Sequence, residues 1–417
     1  MTTGISNLTA GRPFLIRLRG LPRLMGPAMV ASVAYIDPGN IATNLTAGSR
    51  YGYQLVWVVL LATGSAALFQ FLSAKLGMVT GYSLPGILGQ RIKNRPLRLL
   101  FWIQAEVVAI ATDVAEVLGA AIALSLFAHT PMLLSAIVVA LVALAITALR
   151  NRGSEFSGVV ITLMLFTTFG FSYIMLRSPV DWLGAAGGVV PHIGGIGPLI
   201  LAASIIGATI MPHAIYAHSS LSRDSGARFT PVEQESKLKL FGVRTDVAVA
   251  MIFAGLGNMA VLLFGAANFS GGNIDIQLSA VPKQLDDALG SGIGLFFVVL
   301  LFSSGIGSSA VGNYAAGEIT SGLIRKRINP MVRWLLALVP ALLLIGLAPN
   351  VTDAMVYSQV ILSFGLPFAI FPLVRFTACG KLMGHQVNSR KVTVLGYSIA
   401  SALTGLSLWL VFSLLFA

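Results

Sequence analysis

The chain has 417 residues, of which 56% are hydrophobic and 10% are charged, against about 25% charged residues in a soluble domain. This composition excludes a soluble protein and predicts an all-α polytopic membrane protein. The single cysteine, Cys379, excludes an internal disulfide framework and a zinc site built from cysteines. The net charge of +12 does not indicate a nucleic-acid partner, because its distribution follows the membrane topology described below.

Eleven apolar segments of roughly spanning length are predicted. They cover residues 24–47, 53–76, 99–127, 132–149, 156–176, 196–219, 247–267, 292–323, 332–347, 355–376 and 392–416. Residues 1–23 are expected to form a cytoplasmic tail, and residues 24–176 a first unit of five helices. Residues 196–376 form a second unit of five, and residues 392–417 an additional helix.

The basic residues give the orientation of these segments. When the connections are assigned alternately to the two sides, all but three of the 27 Lys and Arg residues fall on the side of the N-terminus. The exceptions are Arg50, Arg177 and Lys283. Since basic loops stay in the cytoplasm, we predict a multi-pass protein of the cell membrane, inner or plasma, with a cytoplasmic N-terminus and an external C-terminus.

The first segment is interrupted at Asp37-Pro38-Gly39-Asn40. Pro38 lacks a backbone donor and Gly39 tolerates unusual dihedral angles, so we expect the helix to break there and to free carbonyls such as that of Ala34. An alternative is a turn after a signal peptide, since arginines precede the apolar run. The rest of the chain argues against it, because no secreted domain follows.

The sixth segment carries a second interruption, Gly207-Ala208-Thr209-Ile210-Met211-Pro212-His213. Five segments run from the first break to the one before the second, so the second group of five is predicted to run in the opposite orientation. Paired interrupted helices in two inverted halves are typical of a secondary transporter with its site near the membrane midplane.

The two breaks offer a mixed set of metal ligands. Asp37 supplies an anionic oxygen and Asn40 a neutral one, the carbonyls of Ala34 and Ala208 add two more oxygens, and Met211 supplies a thioether. Magnesium and calcium gain little from sulfur, whereas manganese, iron, cobalt and cadmium accept mixed ligands. Most methionines simply pack in a core. Beside a proline break that faces a carboxylate, we favour a metal ligand.

Three acids lie on the third segment: Glu106, Asp113 and Glu116. Their spacing of seven and three residues places them near one helical face. Because carboxylates in membrane helices usually mark ion or proton paths, we expect a proton role for Asp113 and Glu116, with His213 as their nearest titratable partner. For Glu106, a structural ion pair with arginine is an equal alternative. His218 is expected to be structural.

Two amides interrupt otherwise apolar segments. Gln359 and Asn258 could each coordinate metal or join helices by hydrogen bonds, and helix joining is the favoured interpretation for Asn258.

Four stretches also carry a family resemblance: DPGN in the first helix, MPHAIYAHS in the sixth, WIQAEVVAIATDVAEVLGAAIAL, and YSQVILSFGLPFAIFPLV. With them the chain resembles, over nearly its whole length, the Nramp family of proton-coupled divalent metal transporters, and most closely its bacterial manganese importers. The resemblance implies the inverted-repeat fold of sodium-coupled amino-acid transporters plus an extra helix. Family members that carry magnesium lack the methionine that stands here at position 211.

The resemblance also assigns roles to residues. It implies metal ligands at Asp37, Asn40, Met211, Ala34 and Ala208, with Gln359 contributing in some states. Its proton pathway falls on His213, Glu116 and Asp113, to which our own reading adds Asp37, Glu106 and Arg333.

One departure from the family concerns the ninth helix. Importers of the family usually carry two consecutive arginines there, where this chain has Arg333-Trp334. The second arginine is the expected partner of Asp113. Neighbouring positions on a helix point about 100° apart, so we expect Arg333 to serve Glu106 and to leave Asp113 without a cation. Coupling between metal and protons would then be loose.

The sequence therefore predicts a proton-coupled importer of Mn²⁺ or Fe²⁺, and also of Cd²⁺ and Co²⁺, that works by alternating access. Its partners are metal ions, protons and the lipid bilayer, it needs no cofactor, and a monomer is the working expectation. A transporter of amino-acid type with the same fold and a metal uniporter with loose proton coupling remain alternatives. A channel would need a repeated ring of like groups, and a metalloenzyme a histidine-rich cluster, neither of which the sequence contains.

Overall fold

The computed structural model describes residues 26–149, 154–226, 233–270, 277–326, 329–348 and 350–416. Within these ranges the secondary structure is entirely helical, which confirms the predicted all-α class. The predicted tail, residues 1–23, lies outside these ranges. The structure does not describe the side chain of Trp334.

The helices follow one another in the order of the predicted segments. The first half contains α1 Pro27–Ser32, α2 Pro38–Tyr51, α3 Val56–Thr80, α4 Leu84–Arg91, α5 Arg95–Ala128, α6 Met132–Ala148, α7 Ser154–Arg177 and α8 Trp182–Gly187. The second half contains α9 Ile196–Thr209, α10 Pro212–Gly226, α11 Glu233–Phe269, α12 Val281–Leu289, α13 Ile293–Leu323, α14 Pro330–Leu347, α15 Val351–Thr377, α16 Gly380–Met383 and α17 Arg390–Phe416.

Eight stretches of the described chain are long and apolar enough to cross a membrane. They are Val56–Thr80, Arg95–Ala128, Glu155–Arg177, Ile196–Ser225, Leu240–Phe269, Ile293–Leu323, Val351–Thr377 and Arg390–Trp409. Three shorter apolar helices, Pro27–Ile36, Met132–Ala148 and Leu338–Leu347, accompany them. The chain is thus a multi-pass membrane protein.

The first helix breaks where Pro38 and Gly39 predict. Helix α1 tightens into a 3₁₀ turn over Val33–Ile36, and α2 begins at Pro38 with Asp37 as its N-cap. The carbonyls released by the break accept hydrogen bonds from side chains of other helices. Asn258 of α11 donates to the Tyr35 carbonyl at 2.7 Å, and Ser304 of α13 donates to the Ile36 carbonyl. Irregular backbone is therefore buried against protein, as membrane depth demands.

The second break separates α9 from α10. Helix α9 ends at Thr209, Ile210 leaves helical geometry with φ −103° and ψ 68°, and Pro212 opens α10. Proline is favoured in the first turn of a helix because its missing N–H has no partner there. The break lies where Pro212 predicted it.

The helices around the breaks approach closely through glycines. A side chain at Gly119 of α5 would collide with the ring of Pro38, and one at Gly207 of α9 would collide with the backbone of Gln359 on α15. Close approach of backbones at small residues is how membrane helices associate. It places α5 against the first break and α15 against the second.

The start of α1 is held by α11. The Asp246 carboxylate accepts from the backbone N–H groups of Gly26 at 3.1 Å and Ala28 at 2.9 Å. A carboxylate at a helix N-terminus satisfies free donors and opposes the positive end of the helix dipole.

Candidate metal site

The two helix breaks meet at Asn40. Its side-chain amide donates to Asp37 Oδ1 at 2.8 Å within the first break and to the Ala208 carbonyl at 2.9 Å in the second. The backbone N–H of Asn40 also donates to Asp37 Oδ1, at 2.7 Å, which is the N-cap bond of α2. One carboxylate oxygen of Asp37 is thereby fully engaged in holding the break.

The other carboxylate oxygen is left over. Asp37 Oδ2 and Gln359 Oε1 are both buried and have no hydrogen-bond partner in the described part of the chain. A side chain at Gly39 would collide with the Gln359 amide and lie 3.2 Å from Asp37 Oδ2, so the two groups border the same small space. Buried oxygens without a partner are rare and costly, and a cation would satisfy both.

The remaining predicted ligands lie in the same two breaks. Met211 and Ala34 are 0% exposed, as are Ala208, Asn40 and Asp37. Hydrogen bonds and close contacts connect Asp37, Asn40, Ala208 and Gln359 directly. Met211 stands between the end of α9 and Pro212, and Ala34 lies in the 3₁₀ turn before Asp37.

Glu116 lies next to this site on α5. It is 0% exposed, and its carboxylate lies beside the hydroxyls of Ser308 and Ser309 without a well-formed hydrogen bond to either. Its carboxylate interacts electrostatically with those of Asp37 and Asp113. A side chain at Gly312 would fall 2.9 Å from Asp113 Oδ1 and 3.3 Å from Glu116 Oε2, so both acids border one gap next to α13.

Arg333 corrects one prediction. Its guanidinium donates through Nη2 to Asp113 Oδ2 at 2.9 Å and through Nη1 to Glu106 Oε1. Asp113 therefore has a cation, and the expectation that Arg333 serves Glu106 alone was wrong. The guanidinium is a planar fork that can satisfy two acceptors at once, and both acids lie on the face of α5 turned to α14. For Glu106, the ion-pair alternative is the observed one.

His213 is not the titratable group nearest to Asp113, while its partnership with Glu116 stays a prediction. Its Nδ1 lies 3.5 Å from the Thr112 hydroxyl, and its Nε2 is buried without a partner in the ranges that the structure covers. The titratable group that contacts Asp113 is Arg333, not His213. Thr112 and Asp113 are neighbours in sequence, but their side chains point in different directions around the helix. Contact with Thr112 therefore does not bring the imidazole of His213 to Asp113.

The polar residues predicted to be structural have structural contacts. His218 Nδ1 lies 2.5 Å from Gln70 Oε1, and Gln70 Nε2 donates to the Tyr35 hydroxyl. Asn258 accepts from the Asn44 side chain at 3.0 Å in addition to its bond to the first break. Sequence reasoning missed Gln70 and Asp246, although a lone polar residue in an apolar segment is the signal that identified Asn258.

Comparison with known proteins decides the family. The chain matches the family described as "Natural resistance-associated macrophage protein-like", Nramp, over residues 28–413. The chain belongs to the Nramp family. It is 42% identical over 393 residues to the divalent metal cation transporter MntH of Mycobacterium tuberculosis, covering 93% of this chain and 91% of that one.

Other Nramp relatives agree. MntH of Bacillus subtilis is 38% identical over 396 residues, covering 94% of this chain and 92% of its own. A crystal structure of the Eremococcus coleocola manganese transporter superposes with a TM-score of 0.84 at 29% identity, covering 96% of this chain and 88% of that chain. Nramp proteins are membrane transporters, so this chain is a transporter and not an enzyme.

Proposed function

We propose that this Nramp chain imports Mn²⁺ or Fe²⁺ together with protons, by alternating access, and that Cd²⁺ and Co²⁺ also enter. The observation that carries the proposal is the pair of buried, partnerless oxygens, Asp37 Oδ2 and Gln359 Oε1, where two broken helices meet. The relatives named as divalent metal cation and manganese transporters support the choice of cargo.

The cargo site combines Asp37, Asn40, Met211, Gln359 and the carbonyls of Ala34 and Ala208. In the arrangement described here, the Asn40 side-chain amide donates hydrogen bonds to the Ala208 carbonyl and to Asp37 Oδ1. A cation replaces those N–H contacts, and the Asn40 amide turns so that its oxygen faces the ion. Hydrogen bonds inside the protein are thus exchanged for metal–oxygen bonds, and the oxygens that have no partner without cargo, Asp37 Oδ2 and Gln359 Oε1, gain one with it. The metal is cargo and not a cofactor.

The proton route begins at the cargo site and runs along α5. Glu116 is its central group, since its carboxylate interacts electrostatically with those of both Asp37 and Asp113. Asp113, Arg333 and Glu106 continue the route as an ion-paired group. His213 faces α5 from the second break and completes the set of titratable groups.

The ion pair of Asp113 bears on the uniporter alternative. The argument for loose coupling was an aspartate without its cation, and Arg333 supplies that cation. Proton-coupled uptake is therefore the stronger proposal.

The amino-acid type of transporter is disfavoured by the same site. Such carriers meet a substrate carboxylate with helix N-termini. The N-terminus of α2 is already capped by Asp37, whose second oxygen faces the space between the breaks. A substrate carboxylate there would be repelled.

The architecture that we propose has eleven spans. The five from residue 24 to 176 and the five from 196 to 376 are inverted repeats, each opening with a broken helix, and residues 392–417 add a last one. Eight long apolar stretches and three shorter apolar helices support this count. The N-terminus faces the cytoplasm and the C-terminus the exterior of the cell membrane, and the transporter works as a monomer.

The decisive test is uptake into proteoliposomes, with internal metal and internal pH followed together. The parent should accumulate Mn²⁺ and acidify the lumen. Asp37→Asn keeps an oxygen for the N-cap of α2 but removes the charge, so both signals should disappear while the protein stays folded. Asp224→Asn, at an exposed carboxylate paired with Arg223, should behave like the parent.

The outcomes separate the alternatives. Undiminished uptake by Asp37→Asn would place the metal site elsewhere. Mn²⁺ uptake without acidification in the parent would identify a uniporter.

A further inference from the structure

A groove lies outside the transport site, at the ends of α4, α5, α15 and α17. It encloses about 800 Å³, within the ~300–1,000 Å³ of typical ligand sites. Its walls include two aromatic pairs, Phe101 with Phe368 at 5.5 Å between ring centroids and Phe371 with Tyr397 at 6.1 Å. The charged side chains in its lining are two arginines, Arg91 and Arg375.

Two prolines of α15 line the groove. The backbone carbonyls that they leave without a donor accept hydrogen bonds from other helices. Pro367 and Pro372 cannot donate to the carbonyls four residues before them. The hydroxyl of Ser407 on α17 bonds the Ser363 carbonyl at 3.3 Å, and that of Tyr216 lies 3.5 Å from the Phe368 carbonyl. The wall of the groove is therefore a defined part of the fold.

The groove borders exposed apolar side chains. Beside it on α5, Leu97 is 45% exposed and Leu100 is 56% exposed. In a membrane helix such exposed leucines contact acyl chains. The cavity is thus reached from the bilayer, and its apolar walls fit a hydrocarbon chain.

The charge around the groove has one sign. Neither residues 76–105 nor residues 354–417, which together supply all of the lining, contain an Asp or Glu. They contain Arg91, Lys93, Arg95, Arg98, Arg375, Lys381, Arg390 and Lys391. Arg91 and Arg375 are both exposed and have no acid near them in sequence, so their guanidinium groups are accessible to an anion from outside the chain. Basic pockets between membrane helices on the cytoplasmic side bind anionic head groups.

We propose that the groove binds one anionic phospholipid of the cytoplasmic leaflet. Its phosphate lies between Arg91 and Arg375, which can each form charge-assisted hydrogen bonds to it, and an acyl chain fills the space between Phe101, Phe368 and Tyr397. The lipid rests on α15, the helix that also carries Gln359. A zwitterionic lipid has no net charge to match the two arginines and binds more weakly.

The only cysteine provides a reporter, because Cys379 lines the groove. The parent is placed in nanodiscs of phosphatidylcholine, or of phosphatidylcholine with a fraction of phosphatidylglycerol bearing the same chains. The rate of Cys379 modification by an uncharged maleimide is then measured. Phosphatidylglycerol should slow the reaction about thirtyfold, since each of the two cations contributes on the order of 1 kcal/mol toward an anionic lipid.

Two double variants separate a site from a general surface charge. Arg91→Gln/Arg375→Gln should abolish the protection by phosphatidylglycerol. Lys93→Gln/Arg390→Gln removes the same charge from the same two segments outside the lining and should retain it. Equal rates for the parent in the two membranes would overturn the proposal, as would equal loss in both variants.

A second measurement applies if the arginine variant does not fold. Native mass spectrometry of the parent, released from micelles that hold both lipids, should show one retained phosphatidylglycerol in preference to phosphatidylcholine. Retention of both lipids in equal amount would also overturn the proposal.

Discussion

At the scale of single residues, Asp37 divides its two oxygens between folding and binding. Oδ1 accepts two hydrogen bonds from Asn40 and caps α2, while Oδ2 has no partner in the part of the chain described. The same residue therefore ends one helix and begins the next, and in the proposed site it presents its second oxygen to the cargo.

The first residue-scale prediction concerns Met211. Met211→Ala should still bind some Mn²⁺ through the oxygens, but it should bind Cd²⁺ about tenfold more weakly and lose its discrimination against Ca²⁺ and Mg²⁺, because the soft ligand is gone. Calorimetric competition between these ions measures the effect.

The matched control for this prediction is Met251→Ala, which removes another buried methionine, on α11. Each variant creates a cavity that costs roughly 2–5 kcal/mol of stability, so thermal unfolding is recorded alongside. If Met211→Ala excludes Ca²⁺ and Mg²⁺ as well as the parent does, the thioether is not the selectivity filter.

At the scale of helices, α5 connects the cargo site to α14. The Glu116 carboxylate interacts electrostatically with that of Asp37. Asp113 and Glu106 are both paired with the guanidinium of Arg333. Arg333, Asp113 and Glu106 are each at most 5% exposed. A buried ion-paired group is costly to break, because the partners that remain are left charged in a low dielectric.

Removing the cation should therefore affect both stability and coupling. Arg333→Gln is expected to lower the free energy of unfolding by about 3–5 kcal/mol, measured by thermal unfolding in detergent. Fewer protons should enter per Mn²⁺ in proteoliposomes. Arg177→Gln, at an exposed arginine bonded to the Leu289 carbonyl, should change stability by no more than about 0.5 kcal/mol.

A second variant tests the cause. Adding Asp113→Asn to Arg333→Gln removes one of the stranded charges and should recover part of the lost stability. If Arg333→Gln alone transports with an unchanged proton-to-metal ratio, the ion pair is structural and the route does not pass through it.

How far the sequence predicted these features depends on how local they are. Pro38 and Pro212 fix the two breaks through their own backbone chemistry, so both breaks were predictable from short motifs. The double pairing of Arg333 was not, because the reach of its guanidinium depends on how α14 crosses α5. The bonds of Asp246 to α1 join positions 218 or more residues apart. Nothing in the local sequence specifies that partnership.

At the scale of the whole molecule, topology and chemistry are connected. The basic residues that orient the chain also supply the charge at the lipid-facing groove, since Arg91 and Arg375 belong to the side that holds nearly all Lys and Arg. The acids of the proposed proton route lie instead within the helices. In this proposal the basic residues orient the protein in the membrane, and the buried acids take part in transport.

The proposed orientation is tested with a pair of matched lysines. In a Cys379→Ser background, Lys283→Cys on α12 should react with a membrane-impermeant maleimide added to intact cells. Lys381→Cys on α16 should react only after the cells are opened. Both lysines are exposed on short helices, so access to reagent depends on the side of the membrane. Labelling of Lys381→Cys from outside would reverse the topology.

The bonds from Asp246 to Gly26 and Ala28 have a mechanical consequence. The alternating access proposed above would involve a movement of the half-helix before the first break. The Asp246 carboxylate ties the start of α1 to α11, and Asn258 of α11 ties the 3₁₀ turn that follows α1 through the Tyr35 carbonyl. The half-helix before the first break can therefore move independently of α11 only once these bonds have broken.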